Sequence, residues 1–69
     1  MATLNTEPNL VDPDEFYERL IATHRGLCDA DSALVNAKLV LLLANHIGDA
    51  AVLAQAMAAA RDGVGDPLA

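Results

Sequence analysis

Basic side chains are scarce in this chain: four lysines and arginines stand against ten aspartates and glutamates, for a net charge of −6. A surface of that sign repels phosphate backbones, so nucleic-acid binding is not expected. Anionic membranes are disfavoured for the same reason. There is one cysteine, Cys28, so no internal disulfide can form and a reducing compartment suits the chain. Long apolar runs are missing too. The longest, Leu39 to Ala44, falls far short of the ~20 residues that a membrane span needs. The opening stretch, MATLNTEPNL, holds neither a basic region nor an apolar core, so no signal peptide is expected. Neither a CxxC nor an HExxH pair occurs, and there is no internal repeat and no alternating strand pattern. Together these gaps predict a soluble, cytoplasmic, all-α protein.

What the chain does have is a central apolar stretch, ALVNAKLVLLLANHI, from Ala33 to Ile47. At about 100° per residue, Ala33, Leu34, Ala37, Val40, Leu41, Ala44 and Ile47 fall on one broad arc. The far side carries Asp31, Lys38, Asn45 and His46, but also Val35, Leu39 and Leu42. A helix that is apolar almost all round needs cover on more than one side. A chain of 69 residues has few surfaces to offer it. Domains of that size bury only about 60% of their unfolded surface, and roughly 1.5 kcal/mol is lost for each residue ordered. Without disulfides, association or metal is the expected supplement.

Three helices are expected in a small bundle, the first two forming an antiparallel hairpin. Residues 1–11 read as an extended arm that Leu4, Leu10 and Val11 can pin to a helical surface, 12–62 as the helical domain, and 63–69 as a frayed, flexible tail. Asp12-Pro13-Asp14-Glu15 is a strong helix start, with Asp12 as cap, Pro13 at the first position and Glu15 completing a capping box. The first helix is expected from Pro13 to Leu27, with Phe16, Tyr17, Leu20, Ile21, His24, Leu27 and Cys28 on one apolar arc. Asp31 or Ser32 is the expected cap of the central helix, Gly48 its stop, and Asp49 the cap of a third helix over Ala50 to Asp62. That third helix is rich in alanine, with Leu53 and Met57 as bulkier contacts.

Candidate chemistry is sparse. His24 and Cys28 stand four apart, a spacing that can chelate zinc on one helical face, with His46 and Asp49 as possible further ligands. The plainer reading makes both of them packing residues. Asp31-Ser32 is similar to the start of the second helix in acyl carrier proteins, where the serine of an Asp-Ser-Leu motif carries a phosphopantetheine arm. Here Ala33 replaces the leucine and the loop before the motif is short, so a cap role for the pair suffices. Cys28 beside His24 is the one candidate catalytic dyad, on the face that the first helix must bury. No enzyme activity and no cofactor are expected.

The stripe of Val35, Leu39, Leu42 and His46 has the four-three-four spacing of a coiled-coil seam. With Asn45, Leu53 and Met57 it is the expected interface of a homo-oligomer, of a complex with a larger enzyme, or of both. Leu42→Glu is expected to break such an assembly, and protonation of His46 at mildly acid pH to loosen it.

Asp12-Pro13 before Phe16-Tyr17, then His24-Arg25-Gly26-Leu27, then Asn45-His46-Ile47-Gly48-Asp49 together resemble domain-of-unknown-function family 2783, a family of short bacterial proteins. The resemblance covers roughly Leu4 to Arg61. It implies a genomic setting beside flavin-dependent aromatic hydroxylases and ring-degradation enzymes, and hence an accessory role in aromatic catabolism.

Overall fold

In a computed structural model that describes residues 2–65, the chain forms three helices: α1 (Pro13–His24), α2 (Asp29–Ile47) and α3 (Ala50–Arg61). No strand occurs among the described residues, and the fold is all-α.

Each start and stop has a local cause. The Asp12 side chain accepts from the Glu15 amide at 3.0 Å, and Pro13 opens α1 where its missing N–H leaves nothing unsatisfied. The Glu15 carboxylate does not reach back to close a capping box. It turns forward instead and takes two hydrogen bonds from Arg19, at 2.9 and 3.1 Å. That exposed pair adds little stability.

α1 stops at His24, a turn short of the expected Leu27, because Gly26 takes φ +83° and reverses the chain. Two tight hydrogen bonds, from the Arg25 amide to the Ala22 carbonyl and from the Leu27 amide to the His24 carbonyl, complete the turn.

α2 begins earlier than expected. Its cap position is Cys28, in extended conformation and with no side-chain cap bond, so neither Asp31 nor Ser32 caps it. Asp29 and Asp31 lie inside the first turn instead, where negative charge complements the exposed amides. Ser32 is helical, its own amide donating to the Cys28 carbonyl.

The α2–α3 junction follows the expected chemistry closely. Gly48 closes α2 in the left-handed region at φ +70°. The Asp49 side chain accepts from both the Ala51 and Val52 amides, at 2.9 and 3.1 Å. A cap of this kind is worth about 1 kcal/mol. α3 ends at Arg61, one residue before the expected Asp62.

The described part of the N-terminal arm, residues 2–12, is not helical, and a hydrogen bond ties it to α3: the Leu4 amide donates to the Gln55 side-chain oxygen at 2.9 Å. Leu4 is half-buried there, whereas Leu10 and Val11 are exposed. The expected tail, 63–69, lies only partly within the described residues.

The helices stand apart more than they pack. No two of them lie in close contact along their length, and no described residue is fully buried. The radius of gyration is 14.3 Å, against about 11 Å for a compact chain of this length. The molecule measures 40 × 37 × 22 Å, a slab more than a globule.

Candidate interaction surface

The nearest approach to a core is a set of half-buried side chains: Leu20 and His24 on α1, Ser32, Val35 and Leu39 on α2, Val52 and Leu53 on α3. On α2 these residues fall at spacings of three and four, so they share one side of the helix. The opposite side is open apart from Ala44, which is half-buried. Leu34 is 58% exposed, Val40 64%, Leu41 70% and Ile47 50%, and Leu43 at the edge is 49% exposed. On α1, Phe16, Tyr17 and Ile21 are also between 45% and 63% exposed.

The surface area expresses the same shortfall. The chain exposes 6140 Å². A folded monomer of its 7.2 kDa mass exposes about 4,100 Å². The excess is therefore about 2,000 Å². It is spread over the N-terminal arm and all three helices, the large apolar side chains of α2 among them, and each Å² of apolar area left wet forgoes roughly 25 cal/mol.

The expected interface residues do not form one open face. Val35 and Leu39 are half-covered within the chain, as is Leu53. Leu42 and Met57 are each 67% exposed, and Asn45 and His46 are exposed. On α2 the part-covered stripe of Val35 and Leu39 and the open arc of Leu34, Val40, Leu41 and Ile47 lie on opposite sides, because the two sets are separated by about half a helical turn. His46 belongs to the stripe side.

The candidate metal ligands are separated by the early end of α1. His24 closes that helix while Cys28 sits beyond the Gly26 turn as the cap of α2, so the two do not share a helical face. Among the described residues no group of three or more His, Cys, Asp or Glu side chains converges, with His46 and Asp49 included. Cys28 is exposed rather than packed.

His24 pairs instead with Ser32, its Nδ1 lying 3.0 Å from the serine Oγ. This contact spans the turn and ties α1 to α2. Gly26 marks the reversal in the sequence, but His24 stands two residues before it and Ser32 six after, so spacing alone does not pair them. Beside the pair runs an open groove of about 550 Å³, lined by Tyr17, Leu20, Ile21 and Asn36. A serine–histidine contact also begins a nucleophilic site, which needs a third group to orient the ring. Among the described residues, no hydrogen bond holds the other ring nitrogen. The Ser32 hydroxyl, the position similar to the carrier-protein serine, is half-buried and engaged in this tie.

No helix among the described residues is long and apolar enough to cross a membrane. The molecule is thus a small all-α protein whose longest helix carries an uncovered apolar side. The model of a family described as a protein of unknown function (DUF2783) matches residues 4–62, and the chain belongs to that family. No curated protein and no solved structure matches it.

Proposed function

We propose that this chain is a non-enzymatic helical interaction protein, an accessory subunit whose work is done by the open side of α2 in contact with another polypeptide. One observation carries the reading: Leu34, Val40, Leu41 and Ile47 stand 50–70% exposed on a single helix. Soluble proteins rarely leave a contiguous apolar patch of several hundred Å² uncovered unless something binds it. The charge balance supports a protein partner over a nucleic acid, since the net charge is −6. The family resemblance adds a candidate setting, beside a flavin-dependent aromatic hydroxylase or another ring-degrading enzyme. Among the described residues no ligand set converges for the zinc-module alternative, and the serine of the acyl-carrier alternative is tied to His24.

The test is the purified chain alone, measured by light scattering and by a thermal melt. The expected result is either a mass above the 7.2 kDa of one chain, or a single chain that melts without a cooperative transition because its cover is missing. A single chain that unfolds cooperatively would overturn the proposal, since it would need no partner.

A further inference from the structure

We infer that the groove beside the His24–Ser32 tie is a binding site for a small organic monoanion, a carboxylate carried on an unbranched apolar body. The site goes beyond the proposed function, since none of Leu34, Val40, Leu41 and Ile47 lines it. Its volume of about 550 Å³ lies within the ~300–1,000 Å³ of ordinary small-molecule sites.

The apolar part comes from α1. Tyr17, Leu20 and Ile21 follow one another at spacings of three and one, so they share one side of that helix and line the groove together. Tyr17 is 63% and Ile21 48% exposed, so the strip is wet in the free chain. From Tyr17 to His24 it runs ~10 Å along the helix, the length of an extended medium-chain acid.

The polar part stands where α1 meets α2, and its charge sets it apart from the rest of the surface. The chain carries ten acidic residues, yet among the described residues no carboxylate lines the groove. Asp29 and Asp31 lie in the first turn of α2, outside the lining. Arg25 does line it and makes no ion pair among the described residues, whereas Arg19 is tied to Glu15.

The His24–Ser32 contact also leaves one donor over, whichever way its proton lies. If Nδ1 donates to the serine Oγ, the hydroxyl hydrogen is unused; if the hydroxyl donates to Nδ1, the Nε2 hydrogen is unused. Both side chains are half-buried, and the Asn36 amide adds two further donors to the same lining. A carboxylate is acceptor-only and matches a guanidinium with such donors beside it. A phosphate dianion fits less well, because a single full positive charge faces it in a chain of net charge −6.

The test is a titration of the full chain with octanoate, followed by nuclear magnetic resonance at the rings of His24 and His46. The His24 signals should shift and saturate with a dissociation constant below ~1 mM, while those of His46, outside the groove, should stay in place. Octan-1-ol has the same body without the charge and should bind about fivefold more weakly. Arg25→Gln should weaken octanoate about fivefold or more and let the alcohol overtake it, because the alcohol leaves water more readily. Arg25→Lys should keep most of the affinity. Lys38→Gln removes an equal charge from outside the lining and should change neither ligand. N-acetyl-leucine, which mimics the C-terminus of a polypeptide, should bind more weakly than octanoate, because its amide must be desolvated over Leu20 and Ile21. Shifts at His24 that never saturate, equal shifts at His46, or an alcohol as tight as the acid on the parent chain would each overturn the site. So would equal losses in Arg25→Gln and Lys38→Gln. N-acetyl-leucine binding as tightly as octanoate would overturn the small acid and assign the groove to a chain terminus.

Discussion

Leu41→Lys should lower the thermal midpoint by roughly 10 °C, although Leu41 is 70% exposed in the single chain. Substitutions at exposed positions away from special features usually change stability by no more than about 0.5 kcal/mol. Lysine is also as good a helix former as leucine, so α2 itself loses nothing. The large effect arises only if another polypeptide covers the position. Burying a leucine fully is worth about 1.5–3 kcal/mol, and a lysine there must snorkel its ammonium out of an apolar seam. A loss of about 2 kcal/mol per chain follows, doubled where the cover is a second copy, and a pair of that size moves about 2–4 °C per kcal/mol. Differential scanning calorimetry of the two proteins at equal concentration checks it. A midpoint within 2 °C or so of the parent would mean that Leu41 stays in water.

The second large effect needs no mutation. Where the cover is a second copy, the thermal midpoint should rise with protein concentration, because association then draws the equilibrium toward the folded pair. Each tenfold increase adds about 1.4 kcal/mol per pair, or about 3–5 °C at the sensitivity of such a unit. A hundredfold series should therefore span about 6–10 °C. A self-sufficient three-helix chain has no such dependence, and its midpoint would stay flat. The two experiments are independent. The first asks where the cover lies, and the second asks whether it comes from another molecule of the same kind.

The all-α class and the helix junctions were legible because their determinants are local. Asp12 with Pro13, Gly48, and Asp49 each act within a few residues, and each takes the expected role in the fold. The end of α1 and the start of α2 were misread for a related reason. Gly26 reads as a weak last turn, but its positive φ ends the helix outright. Once the chain reverses there, Asp29 rather than Ala33 opens α2, and Ser32 becomes a tie to His24 rather than a cap. That shift also removes the four-residue pairing of His24 with Cys28, which held only on a continuous helix.

Which side of α2 faces its own chain was not legible. Val35, Leu39 and Leu42 share the helix with Leu34, Val40, Leu41 and Ile47, and both stripes have heptad spacing. Hydropathy cannot rank two apolar sides of one helix. The choice depends on where α1 and α3 leave α2, which is set by the Gly26 and Gly48 turns rather than by any residue of the helix. The part-covering of Val35 and Leu39 reports that geometry.

Backbone hydrogen exchange along α2, followed at high concentration and again after dilution, tests most directly whether its apolar side is completed from outside the chain. The amides from Ala37 to Ala44 should be well protected in the concentrated sample and should exchange many-fold faster once diluted, as the helix loses its cover. Slow exchange through that segment at every concentration, in a protein whose mass stays that of one chain, would show that α2 needs nothing beyond its own two neighbours.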